Sequence, residues 1–230
     1  MKIAIMGAMR EEIDPILSTV EKYTSTEYAG NVFYECTYGG HELVIAYSKI
    51  GKVFSAITAS VMLERFKAQT LLFSGVAGGI SKELKIGDLV MASALCQHDV
   101  DITAFGHPAG FIPEGTLMIE ADEELRSLAS EVAVDLGMEL YEGIIATGDQ
   151  FVASSERKAW IESTFNADAL EMEGASVACV CQNFGVPFFV LRAISDTADG
   201  GASDDFDAFL KTSAQVSAKF ILEMVKRLGH

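Results

Sequence analysis

Cysteine, proline, positive charge and long apolar runs are all scarce in this chain, and each shortage removes a class of protein. Four cysteines (Cys36, Cys96, Cys179 and Cys181) among 230 residues make no disulfide framework of the kind that staples small secreted domains. Cys179 and Cys181 are two apart on an expected helix, so they do not face each other. Four scattered prolines form no linker and nothing repeats, so residues 1–230 read as one domain. Seventeen basic residues against thirty-three acidic ones leave a net charge of −16. That balance excludes nucleic acid, whose binders must neutralise phosphates, and it disfavours anionic membrane surfaces. The longest apolar runs, such as VPFFVL (186–191), fall far below the roughly 20 residues that span a bilayer. The opening MKIAIMGAMREEI has one lysine, a short apolar run and then acids, which reads as a strand and not as a signal peptide. A soluble, cytoplasmic globular protein remains, and its hydrophobic content of 50% is enough for a large core.

Within it, apolar runs of strand character alternate with amphipathic stretches. KIAIMG (2–7) closes on a glycine, and in the following MREEIDPILSTVEKY the residues Glu11, Glu12 and Pro15 suit a helix start. VFYECTY and ELVIAYS flank GGH (39–41), a hairpin signal. The pattern predicts helices over 52–66, 121–137 and from about Phe206 to Leu228, with strands over 70–79, 87–97, 167–172 and 186–194. Such alternation implies an α/β fold whose mixed, mostly parallel sheet is covered by helices on both faces. The early hairpin supplies the antiparallel part.

Ligands of such folds gather beyond the carboxyl ends of the parallel strands. The first strand delivers Met9, Arg10, Glu11 and Glu12 there; TLLFS delivers Gly75, Val76, Ala77, Gly78 and Gly79. ADALEM delivers Glu171, Met172 and Glu173, and VPFFVLRAI delivers Arg192, Ser195 and Asp196. Acids therefore converge at three strand ends, with glycine-rich backbone at a fourth. Glu171 and Glu173 lie in the apolar run ALEMEGASVACV, where an unpaired carboxylate has no place without a partner or a use. The plain structural alternative is an ion pair of Arg192 with one of these acids, locking the strand ends together. No G-x-G-x-x-G, Walker A, H-E-x-x-H, C-x-x-C or G-x-S-x-G pattern occurs. His98, Asp99 and Asp101 in QHDVD read as a solvated strand edge ahead of a metal site. Ser154 and Ser155 read as a helix cap over SERKAWIE ahead of nucleophiles.

At these strand ends an ordered set of motifs appears: GAMREE (7–12), SKIGKV (48–53), SGVAGG (74–79), DVDITAFGHPAGFIP (99–113), TGDQF (147–151), LEMEGASVA (170–178), LRAISDTAD (191–199) and FDAFL (206–210). Together they closely resemble the 5′-methylthioadenosine/S-adenosylhomocysteine nucleosidase family over the whole chain. The resemblance implies irreversible hydrolysis of the N-glycosidic bond of an adenine nucleoside, without a metal or organic cofactor, by a homodimer of nucleoside phosphorylase-like, three-layer fold. It implies that Glu12 activates water, Asp196 protonates adenine and Glu173 holds the ribose hydroxyls above Met172. Phe151 would stack on the base, the Val152 backbone would read its edge, Arg192 would help order the water and Ser195 would position Asp196. Met9, Ile50 and Phe206 would line the ribose and 5′ region, against the backbone of Val76 and Gly78. Ile102, Phe105 and Pro113 would reach into the partner subunit's pocket. Val76 stands where many relatives carry a serine, and Arg10 where many carry an acid, which would put a cation close to Glu12. Val76, HPAGFIP and FSGVAGG look more like the branch that also cleaves 6-amino-6-deoxyfutalosine in menaquinone synthesis, besides the methylthioadenosine of methionine salvage. The motifs leave these two, S-adenosylhomocysteine and 5′-deoxyadenosine unranked.

That chemistry accounts for the residue types. Adenine leaves only once a ring nitrogen gains a proton, so Asp196 must be protonated near neutrality although free aspartate ionises near ~3.9. Burial and a hydrogen bond to the protonated form would raise it. The oxocarbenium-like ribose then lies between two carboxyl groups, as in glycosidases. Two rival readings stay open. A phosphorylase of the same fold would need arginines around the nucleophile, with Arg10 and Arg192 as candidates. A non-catalytic nucleoside-binding module would need neither Glu12 nor Asp196.

Overall fold

The computed structural model describes residues 1–198 and 202–229, with the backbone alone for residues 202–205 and 207. Asp199, the last residue of the LRAISDTAD motif, lies outside the described residues. In chain order the elements are β1 (Lys2–Gly7), α1 (Arg10–Val20), β2 (Thr24–Tyr28), β3 (Asn31–Tyr38), β4 (His41–Tyr47), α2 (Lys52–Glu64), β5 (Thr70–Gly79) and β6 (Leu89–Gln97). There follow β7 (Ile119–Glu120), α3 (Glu123–Leu136), β8 (Leu140–Thr147), α4 (Ser155–Phe165), β9 (Ala169–Glu171), α5 (Gly174–Phe184), β10 (Phe188–Asp196) and α6 (Ala202–Arg227).

Period-2 alternation decides which layer each strand residue feeds. Ile3 and Ile5 join Ile13, Ile16, Leu125, Val132, Phe220 and Met224, burying α1, α3 and α6 on one face. Ala4 and Met6 point the other way, into a cluster with Ala59, Met62, Ala175 and Val177 from α2 and α5. β5 is buried along its whole length, as a strand covered on both faces must be. It pairs in parallel with β1 on one side and β10 on the other. This is the expected sheet between helical layers.

Local chemistry places the element ends. Gly39 and Gly40, at φ +57° and +83°, form the two-residue hairpin turn between β3 and β4. Asp122 accepts the N–H of Leu125 to open α3, and Gly137 closes it in the left-handed region at φ +63°. Pro15 lies inside α1, not at its start.

The sheet is more mixed than the hairpin alone explains. β6 runs antiparallel to β10 and β7, and β9 runs antiparallel to the end of β5. Three strands have no counterpart among the expectations. β2 is polar and exposed, as an edge strand tends to be, and β7 is two residues long. β8 carries Glu142 and Gly143 mid-strand; the glycine is required there, because a Cβ would lie 2.4 Å from the Asp168 carboxylate.

Candidate active site

A cavity with about 560 Å³ of empty space, its open mouth included, lies where β1, β5, β9 and β10 end. Glu12, Glu171, Glu173 and Asp196 reach it through walls made by Ala8, Val76, Ala77, Val152, Leu170 and Met172.

Glu12 enters because β1 turns directly into α1. Its Oε2 accepts the N–H groups of Ala8 (2.6 Å) and Met9 (2.9 Å) at the helix start, and its Oε1 accepts that of Val76 (3.1 Å) from β5. Burial raises its pKa above the ordinary carboxylate value, against the opposing pull of the Arg192 charge and these three N–H donors. With a lone pair of Oε1 still open, Glu12 is placed to accept a proton from water.

β9 ends in Glu171, and the chain turns at Glu173 into α5. Two carboxylates two residues apart meet different fates there. Glu171 accepts the N–H groups of Glu173 (3.1 Å) and Gly174 (2.7 Å) at the N-terminus of α5, together with the hydroxyl of Thr147. Arg192 completes its set at 2.7 Å, with both side chains almost wholly buried. Glu173 instead receives the N–H of Gly51 at 2.8 Å. Burial and then the negative charge of Glu171 push its pKa up to about 8, against the opposing Gly51 N–H and Arg192.

Asp196 lies at the end of β10, where the pairing with β5 slips by a residue between Ile194 and Asp196. Such a bulge re-aims the side chain that follows it. Its Oδ1 accepts the N–H of Ala198 (2.8 Å), and its Oδ2 lies 3.0 Å from the hydroxyl of Ser195. β5 makes room for the acids through its glycines. A Cβ on Gly75 would lie 2.9 Å from Glu12 Oε1, and one on Gly78 would lie 2.8 Å from Asp196 Oδ1.

The rim comes from two loops and α6. Phe151 and Val152 follow β8, Ile50 precedes α2, and Phe206 meets Phe151 edge-on with ring centroids 5.9 Å apart. Phe151 and Ile50 are half-exposed, at 49% and 53%, so their faces are open to a ligand.

Met9, Met172 and Ser195 also line the cavity, along with every other residue expected in one subunit's site except Arg192. Arg192 is the strand-locking partner of Glu171: its guanidinium also donates to the carbonyl of Leu191 and lies against the Phe73 ring. It acts on Glu12 by charge and does not reach the cavity. Arg10 points away from Glu12 and pairs with Asp14 at 3.3 Å in solvent. Ile102, Phe105 and Pro113 lie outside this cavity, and Phe105 is 82% exposed. His98 and Asp99 are tied to protein groups, and Asp101 accepts from the N–H and hydroxyl of Thr103. Ala8, Gln150 and Leu170 were not singled out in the sequence; adjacency to the motif residues was the signal for each.

The family model described as the phosphorylase superfamily matches residues 2–226. The aminodeoxyfutalosine nucleosidase of Campylobacter jejuni is 57% identical, over 99% of this chain and 100% of that one. This chain belongs to the phosphorylase superfamily, among its nucleosidases. The 5′-methylthioadenosine/S-adenosylhomocysteine nucleosidase of Actinobacillus succinogenes is 39% identical over 99% of this chain and all of its own. The native futalosine hydrolase structure of Helicobacter pylori superposes with a TM-score of 0.97 at 56% identity, covering 99% of this chain and 98% of that one. An H. pylori methylthioadenosine/adenosylhomocysteine nucleosidase carrying a pyrrolopyrimidine–pyrrolidinol ligand gives the same TM-score at 54% identity over 99% and 98%. Phosphorylase superfamily membership alone does not choose phosphate over water, but in this member no described guanidinium lines the cavity.

Proposed function

We propose that the protein hydrolyses the N-glycosidic bond of 5′-substituted adenine nucleosides and releases adenine. Its substrates would include 6-amino-6-deoxyfutalosine, 5′-methylthioadenosine, S-adenosylhomocysteine and 5′-deoxyadenosine. One observation carries the reading: Glu12, Glu173 and Asp196, far apart in the chain, are buried around one apolar-walled cavity. Glu12 takes a proton from water, whose oxygen attacks the anomeric carbon while the base departs with the proton of Asp196 on N7. Ser195 supports that acid. Its single hydroxyl hydrogen can turn to the carbonyl of Ala77, 3.4 Å away, leaving the oxygen free to accept from a protonated Asp196. Glu173 grips the ribose hydroxyls through hydrogen bonds of its carboxyl group. Phe151 stacks on the purine, with Val152 at its edge. Names of relatives at 54–57% identity favour aminodeoxyfutalosine as a principal substrate.

The phosphorylase reading lacks free cations, since Arg10 and Arg192 are each paired with an acid, Asp14 and Glu171. We further infer a cytoplasmic homodimer. Ile50, Val53, Phe54 and Ile57 at and just before α2 share wide exposure with Phe105 and Ile112, the apolar surface that a second copy would cover. Ile102, Phe105 and Pro113 would then complete the partner's pocket.

Adenine release from the four nucleosides in phosphate-free buffer tests the reaction. Full turnover without phosphate is expected; turnover that returns only with phosphate, with ribose-1-phosphate as product, would overturn it. Glu12→Gln should lower kcat by about 10²–10⁴-fold with KM little changed, whereas a binding module would lose nothing measurable.

A further inference from the structure

Just outside the cavity wall lies a closed ring of polar contacts that the roles above do not use. Lys52, the first residue of α2, turns its ammonium to Asp99 Oδ1 at 2.6 Å and to Gln97 Oε1 at 3.2 Å. The other Asp99 oxygen accepts the backbone N–H of Asp149 at 2.8 Å. Asp149 Oδ1 in turn accepts the backbone N–H of Lys52 at 2.8 Å. That last bond supplies a cap α2 lacks, because its N-cap residue is Gly51. The N–H of Gly51 continues the chain of contacts to Glu173 at 2.8 Å.

The ring therefore joins residues 148–152, which carry Phe151 and Val152, to residues 48–51, which carry Ile50. From Gly51 it reaches the carboxylate assigned to the ribose. On the proposed roles the two loops would touch base and ribose, and they lie about 100 residues apart in sequence. The Lys52 and Asp99 side chains are 18% and 14% exposed, so solvent screens their attraction less than at an open surface. Burial works to raise the Asp99 pKa, but the Lys52 ammonium and the Asp149 N–H outweigh it and hold the carboxyl below its ordinary value. Beneath the loop, the buried His98 ring fills the space a side chain at 148 would need, since a Cβ on Gly148 would lie 2.4 Å from its Cε1. Arg157 of α4 fixes that imidazole by donating to its Nδ1 at 3.2 Å and to the His98 carbonyl at 3.1 Å.

We propose that Lys52 and Asp99 are positioning residues, whose clasp through Asp149 holds the base-contacting loop and the ribose-contacting loop at one fixed separation. The assignment of those loops to base and ribose rests on the nucleosidase reading; the mechanical coupling does not. The clasp gives the glycosidic bond its register, since the proton donor and the water activator sit on rigid strand and helix ends while the nucleoside is held by loops.

Amide hydrogen exchange of the full chain tests the coupling without any substrate. Lys52→Met and Asp99→Asn should each raise exchange about tenfold at Gly51, Lys52 and Asp149 together. A rise confined to the substituted residue's own loop in both variants would overturn the clasp. Steady-state kinetics with methylthioadenosine tests the consequence. Lys52→Met should lower kcat/KM about tenfold through KM more than kcat, with Lys52→Arg recovering part of the loss. Combined with Phe151→Ala, its effect should be clearly smaller than the product of the two single effects. Multiplicative losses, or a Lys52→Met enzyme kinetically equal to wild type, would refute the positioning role. A wild-type protein that releases no adenine would instead sink the nucleosidase reading, leaving exchange to decide the clasp.

Discussion

Among the buried acids, position within a few ångströms separates structural from chemical roles. Glu171 is saturated by backbone N–H groups, Thr147 and Arg192, while Glu173, two residues on, has one N–H donor and takes the consequences of burial. Its pKa near 8 against an ordinary 4.5 means the folded state holds a proton that the unfolded chain gives up. Between those values stability must fall as pH rises, and the contribution is complete only below the ordinary value. Glu173→Gln removes this titration. Thermal unfolding followed from roughly pH 6 to pH 8.5 should show a shallower decline in the variant than in wild type; equal slopes would count against the assignment. The sequence showed that acids lay in apolar surroundings, because hydrophobicity is local. It could not show which carboxylate Arg192 would choose, since that depends on how β10 registers against β5 and where α5 starts. In the folded chain that partner is Glu171, at 2.7 Å.

Elements carry the site through their ends and through what they leave out. β5 clears space for the carboxylates of Glu12 and Asp196 with Gly75 and Gly78, and the slip in β10 turns Asp196 toward the second of them. Gly78→Ala would place a Cβ 2.8 Å from Asp196 Oδ1 and 3.0 Å from the Ala198 Cβ. It should lower kcat about 10²-fold, the scale of a misplaced catalytic group, with the fold retained; adenine release and thermal unfolding measured together check this. β1, β5 and β10 were legible as apolar runs, and the rule that ligands gather at parallel strand ends found Glu12 and Asp196. The same rule reached Glu173 through β9, which runs parallel to β8 although it is antiparallel to the end of β5. Polar edge strands such as β2 carry no apolar period to read.

The molecule as a whole shows a wide apolar surface on α2 and the segment after β6, and that surface belongs to the dimer proposal. Phe105, at 82% exposed, contributes little to the fold of one subunit. Phe105→Ser should leave thermal unfolding of the subunit nearly unchanged while weakening self-association. KM should rise by at least about tenfold, in line with removal of an aromatic interface anchor. Light scattering and kinetics on the same samples check it, and a fully active wild-type monomer would refute it. Charge and composition bound the partners, while α2 buries one side and leaves Val53, Phe54 and Ile57 exposed on the other.

The strand that floors the pocket is also the strand on which both halves of the sheet hang. Evolution therefore has little freedom beneath the purine and sugar, and much more at Ile50, Phe151 and Phe206, which stand partly in water. Divergent appetites within this lineage should be written at that margin. An inhibitor meant to single out one relative gains more from tailoring what it presents beyond the 5′ carbon than from refining its imitation of adenine.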